Sequence, residues 1–349
     1  MLILMSLNAP RQDVNSVKEK IIALGCTPHE IPGETKLAIG ITGSNEMLKK
    51  ENFLLMQSVE DVVPVSRKYK LVSREMKSEN TLININGSII GSEELLIIAG
   101  PCAIESKDQI FEIAGQLKEM GVKFLRAGAY KPRSSPYSFQ GLKEKGLDYL
   151  AEVKKEFGLN IVTEIVDQYT IDAVCEVADI IQLGARNMQN FTLIEEIGKT
   201  QKPILLKRGM SATVEELLLS AEYIVSQNNY NVILCERGIR TFENATRNTL
   251  DLNAVPVIKK YSHLPIIVDP SHGVGIWDKI PAMSMASIAC GADGLIVEVH
   301  SHPEKALSDG FQSLSPSTFK KLLIKIQEIA PVVNRKLTLS RNENNLQLS

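Results

Sequence analysis

Eight short apolar runs, recurring from Leu95 to Val299, constrain this chain more than any other feature. They read LLIIAG, KFLRAG, NIVTEI, DIIQLG, PILLKRG, VILCERG, PIIVDP and GLIVEV. Segments with helical periodicity separate them, among them KDQIFEIAGQLKEMG, LDYLAEVKKEFG and TVEELLLSAEYIVSQ. The runs are too uniformly apolar for one face to meet water, which fits parallel strands covered on both sides. Eight β/α units in about 235 residues predict an α/β fold, a (β/α)8 TIM barrel. A doubly wound open sheet is the alternative, but no G-x-G-x-x-G fingerprint follows the first run.

The residues before the barrel have a different rhythm. LILMSL, TPHEIP, KLAIGITG and VEDVVPVS read as strands, and DVNSVKEKIIALG and NEMLKKENFLLM as helices. Their βαββαβ order is that of a small ferredoxin-like domain over 1–66. Such domains bind effectors or pair with copies of themselves; a purely structural appendage is the competing reading. RKYKLVSREMKSEN, at 67–80, is polar and charged and reads as a linker. The barrel domain is then expected over 81–338. It opens with a hairpin at 81–91, because TLININGSIIG alternates around Asn86-Gly87 and could plug the barrel bottom. Residues 339–349 read as a polar tail.

Net charge narrows the function. At −2 over 349 residues, the chain lacks the basic excess of a general nucleic-acid binder, so any anion site must be local. The apolar start MLILMSL is too short for a signal or a membrane span, and no later run reaches about 18 apolar residues. Five scattered cysteines without a C-x-x-C pair argue for a reduced, cytoplasmic compartment.

A TIM barrel carries its site at the C-terminal ends of its strands. Two sets of residues fall there. The first is basic: Arg126, Lys131, Arg133, Arg186, Lys207 and Arg237. Converging on one rim, these call for phosphate or carboxylate, which guanidinium groups grip in bidentate fashion. Salt bridges to Glu164, Asp167 or Glu236 are the competing reading for any single cation. Arg208, directly after Lys207, should point elsewhere and is read as structural. The second set is Cys102, His272, Glu298 and Asp309, after strands one, seven and eight. A thiolate, an imidazole and two carboxylates suit Mn2+, Fe2+, Co2+ or Zn2+ rather than Mg2+ or Ca2+. His300 and His302 compete as ligands. A small buried residue and a turn cap are the alternatives for Cys102 and His272.

Together these stretches resemble the family of 3-deoxy-D-arabino-heptulosonate-7-phosphate (DAHP) synthases. The likeness runs through GPCAIES, RAGAYKPRSSPYSFQG, LGARNMQNF, LLKRGM, CERGIRTF, DPSHGVG and VEVHSHPEKALSDG. The short barrel behind a ferredoxin-like unit is similar to the subgroup that uses this unit for regulation. The neighbouring family, 3-deoxy-D-manno-octulosonate-8-phosphate synthase, typically reads K-A-N-R-S-S where this chain reads Lys131-Pro132-Arg133-Ser134-Ser135. Pro132 shortens the loop, fixes φ and brings Arg133 closer to Lys131, as a shorter aldehyde requires.

The resemblance implies condensation of phosphoenolpyruvate with erythrose 4-phosphate and water, giving DAHP and phosphate at the head of aromatic amino acid biosynthesis. It implies a phosphoenolpyruvate cradle of Arg126, Lys131, Gly184, Ala185, Arg186, Lys207 and Arg237. Erythrose 4-phosphate falls to Lys131, Pro132, Arg133, Ser134 and Asp269. One divalent ion falls to Cys102, His272, Glu298 and Asp309, and the chemistry to Lys131, Cys102 and His272. Feedback inhibition by tyrosine or phenylalanine through 1–66 and a homotetramer are further family expectations. The alternatives are the octulosonate synthase, using arabinose 5-phosphate, and a non-catalytic sensor of phosphorylated metabolites.

Overall fold

A computed structural model describes residues 1–32, 36–43, 48–63, 68–132 and 135–339. The chain forms two compact units: Met1–Asn80 with Lys260–His263, and Thr81–Lys259 with Leu264–Ser349.

In the first unit, β1 (Leu2–Ser6), β2 (Thr27–Pro32), β3 (Lys36–Thr42) and β4 (Val59–Val63) form an antiparallel sheet in the order β2-β3-β1-β4. This is the ferredoxin-like arrangement that the element order predicts. The helix Arg11–Ala23 buries Val14, Val17 and Ile21, a single stripe at helical spacing. The stripe meets Ile3, Met5, Ile39, Ile41, Phe53 and Val62 in one core. The second expected helix, over 45–56, is helical only at Glu51–Leu54, with Phe53 its one buried residue; residues 44–47 lie outside the described set. One anchor supports one turn, since short helices depend on packing for stability.

Residues 68–80 fold into this first unit rather than forming a bare linker. Tyr69, Leu71, Val72 and Met76 are buried among the charges that conceal them in a composition count. Leu71 and Met76 lie so close to Gly40 that a Cβ there would meet Met76 Cε at 2.1 Å. The ring of His263 contacts the Leu71 carbonyl at 2.8 Å through Nε2, and burial pushes its pKa from 6.5 down to about 4. Unfolding restores the ordinary value, so the unfolded chain takes the proton first. His263 therefore carries no penalty above pH 6.5, and stability falls as pH drops toward 4, by on the order of 3 kcal/mol. Urea unfolding across that window should show the loss, and His263→Gln should flatten it. An unchanged slope in the variant would refute the assignment.

The second unit is a closed parallel barrel. Its strands follow a hairpin of β5 (Ile83–Ile85) and β6 (Ser88–Ile90). They are β7 (Leu96–Gly100), β8 (Phe124–Arg126), β9 (Asn160–Ile165), β10 (Ile180–Leu183), β11 (Ile204–Lys207), β12 (Val232–Glu236), β13 (Ile266–Val268) and β14 (Gly294–Glu298). Closure is by β14 against β7. Each apolar run of the sequence supplies one strand, and every strand residue is buried. Ile83, Ile85 and Ile90 of the hairpin pack with Leu96, Phe124, Ile180 and Leu205 in one core cluster, closing the N-terminal end. Some helices between strands start on side-chain caps: the Ser106 side chain accepts from the Gln109 N–H, and Thr213 and Glu216 form a reciprocal capping box. The N-terminal end is thus filled, and polar chemistry is left to the C-terminal ends. Among the described residues, no helix is long and apolar enough to cross a membrane.

Candidate active site

The loops after β7 and β14 bring three of the four expected ligands together. Ligand atoms of Cys102, Glu298 and Asp309 lie within 4.8 Å of one another. Cys102 Sγ donates to Asp309 Oδ2 at 3.0 Å and accepts from Ser308 Oγ at 3.1 Å. Glu298 ends β14, and its backbone N–H is held by Ser271 Oγ at 2.9 Å. Asp309 sits in the left-handed region at φ 56°, an uncommon conformation outside glycine that aims its carboxylate inward. His272 lies in the turn of helix Pro270–Val274, with Nε2 3.7 Å from Glu298 Oε1. The competing histidines are elsewhere: His300 faces Glu105, and His302 is exposed between Glu112 and Glu304.

Beside this cluster is a cleft of ≈ 300 Å³. It is lined by Arg126, Lys131, Arg186, Lys207, Arg237 and Arg247, with Pro132, Gly184 and Ala185. Salt bridging accounts for part of this set. Arg126 binds Glu298 and Lys207 binds Asp269, each at 2.5 Å, and Lys131 Nζ lies 3.6 Å from Glu164 and donates to the Cys102 carbonyl at 3.1 Å. Arg186 and Arg237 have no carboxylate within ion-pair distance among the described residues, so cationic charge remains for a ligand. A Cβ at Gly184 would come within 2.1 Å of Glu164 Oε1, so the carboxylate beside Lys131 would have to shift. Arg208 points away from the cleft, to Glu236 and Asp251 at 2.8 Å each, as expected of a structural residue.

Two expectations are modified. Arg133 and Ser134 lie outside the described residues. Asp269, expected to meet the sugar phosphate, has both oxygens committed within the protein. Oδ1 accepts from the His272 backbone N–H at 2.9 Å, and Oδ2 from Lys207 and from His272 Nδ1. In this structure it orients the His272 ring rather than lining the cleft. Arg247 and Gln312 were not legible as site residues. Neither ends a strand, and neither belongs to a motif with a spacing of its own.

Comparison with known proteins gives the family. A model of the DAHP synthetase I family matches residues 72–335. A phospho-2-dehydro-3-deoxyheptonate aldolase of Thermotoga maritima is 49% identical over 337 residues, 97% of this chain and 100% of the relative. The chain belongs to the DAHP synthase family. Residues 1–67 match a model of the DAHP synthase ferredoxin-like domain. A crystal structure of the DAHP synthase from Thermotoga maritima superposes with a TM-score of 0.77 at 48% identity, covering 97% of this chain and 99% of that one. A 2-dehydro-3-deoxyphosphooctonate aldolase of Desulfosudis oleivorans is more distant, at 30% identity over 262 residues, 70% of this chain and 93% of the relative.

DAHP synthases are metal-dependent, and the donor set in this member fits a divalent ion. Burial lowers the His272 pKa, leaving a neutral ring. Donation from Nδ1–H to Asp269 then fixes the tautomer and leaves the Nε2 lone pair facing Glu298. Burial opposes charge on Glu298, but His272, when protonated at the acid pH where the carboxyl titrates, and Arg126 outweigh it and hold the carboxyl below its ordinary range. Asp309 is likewise held low: burial opposes this, while the Cys102 hydrogen bond and Arg247 prevail. Burial, then Glu298, pushes the Cys102 thiol up to about 11. Two ionised acids against a protonated thiol make a site that gains most from a cation able to displace that proton.

Proposed function

We propose that this DAHP synthase joins phosphoenolpyruvate to erythrose 4-phosphate and water, releasing DAHP and phosphate. The observation that carries this reading is one barrel end holding both a thiol–imidazole–dicarboxylate cluster and a cation-lined cleft. Phosphoenolpyruvate bears a carboxylate and a phosphate. Arg126, Lys131, Arg186, Lys207 and Arg237, with the Gly184-Ala185 backbone, hold it. Pro132, Arg133 and Ser134 take the phosphate of the aldehyde, with Lys131 between the two substrates. Two polyanions repel in water, and the fixed cations offset that repulsion and align the reactants.

Cys102, His272, Glu298 and Asp309 hold one divalent ion, Mn2+, Fe2+, Co2+ or Zn2+, which supplies Lewis acidity toward the aldehyde oxygen. Asp269 orients the His272 ring. C3 of phosphoenolpyruvate attacks the aldehyde carbon, and the carbonyl oxygen takes a proton from Lys131 Nζ. Attack leaves C2 electron-poor; water adds there and returns one proton to Lys131 Nζ, and the tetrahedral C2 hemiketal phosphate collapses to the ketone as the C2–O bond breaks, its hydroxyl proton leaving with the phosphate. Arg186 and Arg237 stabilise the departing phosphate. Residues 1–66 carry feedback inhibition by an aromatic amino acid, tyrosine before phenylalanine, in a cytoplasmic homotetramer.

A turnover assay tests the reading. Phosphate release should require erythrose 4-phosphate, stop with chelator and return with Mn2+. Tyrosine should inhibit the full chain, and deleting 1–66 should remove inhibition while keeping turnover. Preference for arabinose 5-phosphate would transfer the chain to the octulosonate reaction. Phosphoenolpyruvate binding without turnover on either aldehyde would leave a sensor. Indifference to both aromatic amino acids would end the regulatory claim.

A further inference from the structure

The two acids of the cluster are not free to rotate, and neither of the groups that hold their outer oxygens was assigned above to substrate or ion. Glu298 Oε1 accepts from Arg126 Nη1 at 2.5 Å and lies 3.7 Å from His272 Nε2, while its Oε2 accepts from Gln312 Nε2 at 2.6 Å. Asp309 offers Oδ2 to Cys102, while its Oδ1 accepts from Arg247 Nη1 at 3.3 Å. The same Arg247 Nη1 donates to Gln312 Oε1. The order is therefore Glu298, Gln312, Arg247, Asp309: a continuous chain of donors and acceptors behind the cluster.

The chain is specified by chemistry as well as by position. A residue between a carboxylate and a guanidinium must donate at one end and accept at the other, and a primary amide does both. Gln312 is buried, at 2% exposure, so neither end can turn to water for a partner. Arg247 is fixed at its backbone by donation to the Val274 carbonyl at 2.8 Å. Its stem packs on Gly275, at φ +77°, where a Cβ would lie 2.4 Å from Arg247 Cβ. The space for Arg247 thus depends on glycine immediately after the helix that carries His272.

We propose that Gln312 and Arg247 are positioning residues that set the carboxylate torsions of Glu298 and Asp309 and so tune affinity for the ion. The proposal rests on the reading of the cluster as a metal site. Outer partners of metal ligands commonly set affinity by about 10–100-fold. Acting as one relay, the two residues should not contribute independently.

The test uses the full chain, stripped of metal and titrated with Co2+ against a competing chelator, with thiolate-to-cobalt absorption as a second readout. Gln312→Met and Arg247→Met should each weaken Co2+ binding by about 10–100-fold. The double variant should lose little more than the weaker-binding single, and Arg247→Lys should recover part of the loss. Thiolate-to-cobalt absorption should still appear at saturation in each. Arg247 is partly exposed, so Arg247→Met decides the matter if the buried Gln312→Met does not fold. Single variants that bind Co2+ within about twofold of wild type, or losses that simply multiply in the double variant, overturn the relay. No thiolate-to-cobalt absorption in the wild-type chain would instead overturn the metal site on which it rests.

Discussion

Lys131→Met is expected to lower kcat by about 10³-fold, within the range for loss of a positioned general acid. Lys131 is almost fully buried, with Nζ between the Cys102 carbonyl and Glu164. That places an ammonium group beside the cluster and inside the cleft at once. Burial favours its neutral form, but Cys102, which carries charge only at the high pH where the ammonium titrates, and the Glu164 carboxylate outweigh this and raise its pKa, so it is protonated at neutral pH. In the proposed mechanism it begins the cycle holding the proton that the aldehyde oxygen needs. Lys131→Arg separates donation from charge. Arginine keeps the cation but gives up a proton far less readily, so Lys131→Arg should stay near the methionine variant in kcat while recovering phosphoenolpyruvate binding. Steady-state kinetics with a single-turnover measurement of phosphate release check both. Near-wild-type kcat in Lys131→Arg would make Lys131 a purely electrostatic residue.

The barrel is legible in the sequence because burial on both faces leaves each strand as an unbroken apolar run, and because a closed barrel places all strand ends on one rim. That alone brings Cys102, just after the first run, beside Glu298, from the last. Other features depend on side-chain geometry that no pattern encodes. Asp269 reads as a sugar-phosphate residue until its oxygens are seen on Lys207 and His272. His300 is as good a ligand as His272 by type, and only its place beside Glu105 removes it. Gln312 and Arg247 meet across two loops with no period. The 68–80 segment misleads for the opposite reason: its charges dominate the count while four buried side chains determine where it folds.

Cys102→Ser should weaken ion binding by at least about 10²-fold, beyond the usual cost of an outer partner, and turnover at limiting metal should fall in step. The thiol is 2% exposed, and burial with Glu298 holds its pKa near 11, so without an ion it stays protonated at neutral pH. Ligation requires the thiolate, so each ion bound must expel that proton. His272 is already neutral, and Glu298 and Asp309 are already ionised, so the thiol is the one ligand with a proton to lose. Wild-type affinity should therefore rise about tenfold per pH unit through neutrality. A serine hydroxyl is a harder, far weaker acid, and Cys102→Ser should bind with a flatter pH dependence and no thiolate-to-cobalt absorption. Calorimetry in buffers of different ionisation enthalpy counts the released proton directly. Uptake with no proton released, or a serine variant that binds as tightly as wild type, would place the ion somewhere other than on Cys102.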